Sequence, residues 1–178
     1  KKLSEFFSSP SVNEIVFTRN ATHSLNQIAK GLEWNKGDVV LTTDREHNSN
    51  LVPWLQLEQE QGIDHRIVRS NHDNTFNLES FEEACANAGS KLKMVSMSHV
   101  GNLDGVEIPV KDITKIAKDY GALVSIDGAQ SAPHMSVDVQ DLGIDFYSFS
   151  IHKMLGPSGM GGLWGKTELL ENMRTIQS

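Results

Sequence analysis

The sequence predicts an α/β domain, a mainly parallel sheet with helices on both faces. Three observations predict it. Short β-branched runs alternate with longer amphipathic segments along the chain, and strands separated by helical crossovers call for parallel pairing. Polar clusters follow the strand-like runs, and ligands of such sheets gather at the carboxyl ends of the strands. The chain has 178 residues, 38% of them hydrophobic and 22% charged, which suits one domain with a substantial core.

Taken in order, Lys2 to Phe7 has a helical pattern, and Glu14 to Thr18 reads as the first strand. A helix follows from about Ala21 to Leu32, its apolar residues recurring at helical spacing. The turn signal Asn35-Lys-Gly37 leads into a strand over Asp38 to Thr43. Asn50 to Gln61 is helical, with Pro53 tolerated in its first turn. His65 to Arg69 is a strand, and Leu78 to Ala88 a helix with Asn77 as its cap. Leu92 to Met97 is a strand, and Val110 to Tyr120 a helix entered through Pro109. Strands over Ala122 to Asp127, Asp145 to Phe149 and Gly161 to Gly165 complete the sheet, before a helix over Thr167 to Arg174. Both ends lie inside helical patterns, with no polar tail or linker, so a piece of a longer protein is expected.

Composition narrows the function classes. The net charge is −7 and the basic residues are scattered, which gives no nucleic-acid footprint. No apolar run approaches the roughly 20 residues that span a bilayer, and no signal-peptide pattern opens the chain. The single cysteine, Cys85, allows no internal disulfide and fits a reducing compartment. A cytoplasmic protein with no membrane partner is expected.

The chemistry lies in the strand-end clusters. Lys153 ends the run Asp145-Phe-Tyr-Ser-Phe-Ser-Ile-His-Lys153 and enters a glycine-rich turn, while Asp127 closes the apolar run Leu123-Val-Ser-Ile-Asp127. A lysine and a strand-end aspartate so arranged suit a Schiff-base cofactor: the amine condenses with an aldehyde and the carboxylate holds a pyridinium nitrogen protonated. That cofactor would be pyridoxal 5'-phosphate (PLP). Taken singly, Lys153 is a surface lysine and Asp127 a turn residue in Asp-Gly. An unpaired carboxylate ending a buried strand is costly, however, and a pyridinium would relieve that cost.

The other clusters add to the pair. Thr18 to Leu25 passes from strand to helix through Ala21, Thr22 and Ser24, either an ordinary helix start or a phosphate site. His47 can stack on a ring or shuttle a proton, though a lone histidine there is more often solvated. Gln130 and Asn102 can hydrogen-bond a cofactor oxygen or a substrate carboxylate, and each alone reads as a surface or turn residue. Ser150 and His152 flank the lysine and can donate to a phosphate. Competing motifs fail on spacing. The run Gly156-Pro-Ser-Gly-Met-Gly-Gly162 lacks a P-loop ending and a dinucleotide fingerprint, and no HExxH or Cys/His array marks a zinc site. Gly156-Pro-Ser158-Gly fits a nucleophile elbow poorly, and Cys85 reads as a small buried hydrophobe.

With these residues in view, the chain resembles the class V aminotransferase family of PLP-dependent enzymes, most closely the cysteine desulfurase and selenocysteine lyase group. Four ordered motifs carry the resemblance: Phe17-Thr-Arg-Asn-Ala-Thr22, Glu46-His47-Asn-Ser-Asn-Leu-Val-Pro-Trp54, Ser125-Ile-Asp127-Gly-Ala-Gln130-Ser-Ala-Pro-His134 and Ser150-Ile-His152-Lys153-Met-Leu-Gly-Pro-Ser-Gly-Met-Gly161. The resemblance implies that Lys153 carries PLP as a Schiff base and then moves the substrate proton. It implies that Asp127 pairs with the pyridine nitrogen, His47 stacks on the ring and Gln130 bonds the ring hydroxyl. Asn102 would lie near that oxygen and the substrate carboxylate. The Ala21 backbone, Thr22, Ser150 and His152 would hold the phosphate.

The implied reaction takes L-cysteine to L-alanine and passes the sulfur to an enzyme thiol. A homodimer, a sulfur-acceptor protein and a place in iron–sulfur cluster assembly go with it. Two local departures stand out: many relatives carry threonine where this chain has Ala21, and an acidic residue is frequent at His23. The resemblance further implies that residues 1–178 are part of a PLP-binding large domain. The family's small domain, with its acceptor cysteine and carboxylate-binding arginine, has no counterpart here. Other class V activities (a transaminase, an epimerase or a kynureninase-type hydrolase) and a non-catalytic module of the same fold stay open.

Overall fold

A computed structural model describes residues 1–174. Helix α1 (Lys2–Phe6) leads through a short turn to strand β1 (Ile15–Thr18). Helix α2 (Ala21–Gly31) starts where the Asn20 side chain accepts the His23 N–H at 2.8 Å, and Leu25, Ile28 and Ala29 form its buried face. Strand β2 (Val39–Thr43), helix α3 (Asn48–Gln61) and strand β3 (Asp64–Val68) follow. Asn77 caps α4 (Leu78–Ala88) by accepting the Ser80 N–H at 2.9 Å, as the sequence predicts. The chain continues through β4 (Leu92–Ser98), α5 (Val110–Asp119), β5 (Leu123–Asp127), α6 (Ser131–His134), β6 (Phe146–Ser150), β7 (Gly161–Gly165) and α7 (Thr167–Asn172).

The seven strands form one sheet in the order β1-β7-β6-β5-β4-β2-β3. Only β7 runs against the rest, pairing antiparallel with both β1 and β6. All the other strands therefore present their carboxyl ends at one edge, and β7 starts there. Alternate residues divide the core between two faces. Val40, Met94, Phe146 and Leu163 pack with Ile28 and Ala29 of α2 and Trp54 and Leu57 of α3. Leu41, Val95, Tyr147 and Trp164 pack with Phe81 and Cys85 of α4 and Ile113 and Ala117 of α5. That layering is what strands buried on both sides require.

Several expectations change: strand β6 lies one residue later than predicted and α7 ends at Asn172 rather than Arg174, and three further differences have a local cause. Helix α3 begins at Asn48 rather than Asn50, because His47 caps it, so Pro53 lies beyond the first turn. Strand β3 sits one residue earlier than predicted, over Asp64–Val68, aligned with β2 from Val39↔Asp64 to Thr43↔Val68. The four-residue helix α6 is absent from the prediction, being too short and too proline-broken to show a period.

Candidate active site

The sheet register brings the polar strand ends into rows. Ser98 of β4 lies beside Asp127 of β5, and Asp127 beside Ser148 of β6. Further along the edge, Ser150 pairs with Gly161, and Gly161 with Thr18. Above these rows opens a cavity of about 230 Å³. Ala21, Thr22, His47, Asn102, Asp127, Gln130, Ser150, His152 and Lys153 border it; Ser24, the other residue expected at the phosphate site, does not, being buried with its hydroxyl bonded to Thr18 and the Gly162 carbonyl.

Asp127 is buried at the cavity floor. Among the described residues, the Ala129 N–H alone donates to its carboxylate, at 2.9 Å to Oδ1. Burial pushes its carboxyl up to about 6; the Ala129 N–H and the Lys153 ammonium pull the other way without cancelling the burial. Gly128 is needed here for space: a Cβ would fall 2.0 Å from the Tyr147 ring. Tyr147 in turn is fixed by its hydroxyl, 2.7 Å from Ser131 Oγ. The strand end carrying Asp127 is therefore locked from below.

Lys153 and His152 lie exposed in a single helical turn over Ile151–Met154 that follows β6. The turn ends at Leu155 in the left-handed conformation (φ 62°), which directs the chain away from the sheet edge. Ser150 is buried, and its Oγ accepts the Ala21 N–H at 2.9 Å. The Ala21 amide is thus already engaged, and its hydrogen bond leaves the Ser150 hydroxyl proton free to donate into the cavity. The approach of α2 to this edge depends on Gly161, where a Cβ would lie 2.5 Å from the Asn20 Cα.

His47 is held by the helix it caps. Its Nδ1 accepts the Ser49 N–H at 3.1 Å and lies 2.7 Å from Ser49 Oγ. The neutral ring therefore carries its proton on Nε2. Next to it, Glu46 ties the β2–α3 turn to β4: its carboxylate accepts Ser98 N at 2.9 Å and Ser98 Oγ at 2.8 Å. Thr43 Oγ1 and Asn50 Nδ2 donate to it as well, each at 2.7 Å. Burial raises the Glu46 carboxyl above its ordinary range, and these four donors oppose that rise.

Asn20, Glu46 and Ser49 are absent from the sequence-predicted site. Asn20 carries a readable signal, an asparagine one residue before a helix. Glu46 opens the Glu46-His47 motif, but its bond to Ser98, 52 residues away, has no local signal. No group of three or more histidine, cysteine or acidic residues able to hold a metal occurs among the described residues. Nor is any described helix long and apolar enough to cross a membrane.

The fold is thus an α/β domain that gathers a lysine-bearing turn and a buried strand-end carboxylate at the carboxyl edge of its sheet. The model of the family "Aminotransferase class-V" matches residues 1–178, and the chain belongs to that family. A probable cysteine desulfurase of Halalkalibacterium halodurans is 40% identical over 180 residues, covering 99% of this chain and 44% of that protein. The crystal structure of the cysteine desulfurase CsdA from Escherichia coli superposes with a TM-score of 0.95 at 33% identity, covering 99% of this chain and 44% of that one. A mutant of C-DES with glycine covalently linked to its PLP cofactor superposes with a TM-score of 0.89 at 27% identity, covering 98% and 46%. The chain thus spans less than half the length of each of these three relatives.

Proposed function

We propose that this chain is the cofactor-binding part of a PLP-dependent cysteine desulfurase, with residues 1–178 belonging to its large domain. The observation that carries the reading is the meeting of Lys153, Asp127 and a set of phosphate-competent donors in one cavity. Asp127 supplies the test of fit. A buried carboxylate with one donor and a raised pKa lacks a cationic N–H partner, and a protonated pyridine nitrogen is such a partner.

When bound, PLP supplies an electron sink for the charge left on the substrate Cα when its proton departs. Lys153 Nζ would be the amine that holds the cofactor and the base for the substrate Cα proton. Asp127 would keep the ring nitrogen protonated. His47, oriented by Ser49, would border the ring. Gln130 and Asn102 would hydrogen-bond the cofactor's ring oxygen or the substrate carboxylate. Ser150, Thr22 and His152 would hold the phosphate, with the Ala21 amide acting through Ser150. In the family pattern, the sulfur-accepting thiol and the carboxylate-binding arginine lie outside this segment. Cys85 does not serve as the thiol: it is buried within α4 and burial pushes it up to about 12.

L-cysteine as substrate, a homodimer, a sulfur-acceptor protein, a cytoplasmic setting and a place in iron–sulfur cluster assembly complete the proposal. The relatives' names support L-cysteine as substrate; the homodimer, the acceptor protein and cluster assembly rest on the family resemblance, and the cytoplasmic setting on the composition. The test is incubation of the full-length protein with PLP, L-cysteine and a reductant. Alanine and sulfide in equal amounts, lost in Lys153→Ala, is the expected result. Pyruvate and ammonia in place of alanine would overturn the desulfurase reading.

A further inference from the structure

The strand order reverses its sense between β2 and β4. From β2 the chain moves outward to β3, whereas from β4 it moves the other way to β5. The β2–α3 turn and the β4–α5 loop therefore part company here, leaving a crevice of the kind in which open α/β sheets bind ligands. His47 stands on one side of this crevice and Asn102 on the other, and both border the cavity.

Two fastenings near the cavity, among the described residues, cross the crevice above the buried Ser96–Asn50 bond. The inner one is Glu46 to Ser98, described above. The outer one is Arg45, whose Nη2 donates to Asp104 Oδ2 while its Nη1 donates to Asn74 Oδ1 at 2.8 Å. Asn74 presents that oxygen from a left-handed backbone conformation (φ 70°). One guanidinium thus gathers three loops, those after β2, β3 and β4.

The loop that bears Asn102 is folded onto this contact. Gly101 N–H donates to Val106 O at 2.9 Å and Gly105 N–H to Gly101 O at 3.0 Å, with Val100 and Glu107 bridged at its base. Asp104 Oδ1 accepts Val106 N–H at 3.2 Å, so both its oxygens are used. A Cβ at position 101 would fall 2.3 Å from that Oδ1; glycine is what lets the carboxylate fold back over the loop.

We propose that Arg45 and Asp104 are positioning residues, a clasp that holds Asn102 at a fixed distance from His47 across the cofactor cavity. The proposal rests on the cofactor reading above. The pair is partly exposed, with side-chain exposures of 30% and 22%. Ion pairs so placed add little to global stability, so the effect of breaking this one falls on the loop and on whatever the loop contacts.

The experiment compares wild type, Arg45→Ala, Asp104→Ala and the double variant by two readouts. In the cofactor-free protein, amide hydrogen exchange over residues 100–106 is expected to quicken roughly tenfold in each single variant, with the melting temperature little changed. In a PLP titration, affinity is expected to fall several-fold and the induced circular dichroism of the bound cofactor to diminish. The double variant should be no worse than the worse single, the mark of a coupled pair. Unchanged exchange in the singles would overturn the clasp. Faster exchange with wild-type affinity and wild-type dichroism would overturn its positioning role. A folded wild-type chain that takes up no PLP contradicts the cofactor reading instead, and the exchange data then decide the clasp by themselves.

Discussion

Burial raises the Asp127 carboxyl from 3.8 to about 6, so the folded chain holds that proton more tightly than the unfolded chain does. The associated stability is present below about pH 4 and lost as pH rises through about 6. Above that the buried charge costs about 3 kcal/mol. Asp127→Asn should therefore make the cofactor-free chain more stable by about 2 kcal/mol at pH 8 and leave it nearly unchanged at pH 4. Denaturant midpoints at the two pH values check this. The same substitution should weaken PLP binding by more than tenfold, and such opposed effects mark a residue kept for a ligand rather than for the fold. Burial acts on Cys85 in the same direction: with its thiol pushed up to about 12 and its side chain buried, it should resist alkylation by iodoacetamide at pH 8. Mass spectrometry of native and unfolded protein would show modification only in the latter.

At the scale of elements, β5 and β6 depend on contacts the local sequence does not announce. Asp145, just before β6, accepts Lys166 Nζ at 2.8 Å and the Val124 N–H at 2.7 Å, and also pairs with Lys118. Asp145→Ala should cost about 3 kcal/mol, read by urea denaturation, because it leaves a buried amide without a partner and frees two lysines. Gly128→Ala must push the Tyr147 ring aside and should cost at least about 2 kcal/mol, with weaker PLP binding as Asp127 shifts. The α4 cap was legible because Asn77 precedes a plain helical period. The α3 start was not: histidine is an uncommon cap, and Pro53 drew the expected boundary two residues late. The antiparallel sense of β7 was likewise unreadable, since Gly161-Gly-Leu-Trp-Gly165 carries no directional signal and only its pairing with β1 and β6 reverses it.

Across the whole molecule, what the sequence disclosed is the periodic part. Alternation of strands and helices fixed the layers, and the rule that sites lie at strand carboxyl ends gave the polar clusters a shared address before any contact was known. Ala21, Thr22, Asn102, Gln130 and the others met there because every strand but β7 points the same way. Glu46 to Ser98 and Arg45 to Asp104 stayed hidden because they join loops more than 50 residues apart, where no local pattern reaches. The central claim is that this edge of the sheet is a PLP site built around Lys153. It is tested most directly by titrating the purified full-length protein with PLP, reducing with borohydride and mapping the labelled peptide. A visible band that follows the titration, with the label on Lys153 and none in Lys153→Ala, is the result predicted here. A folded chain that gives no band, or a label spread over other lysines with Lys153 untouched, would contradict it.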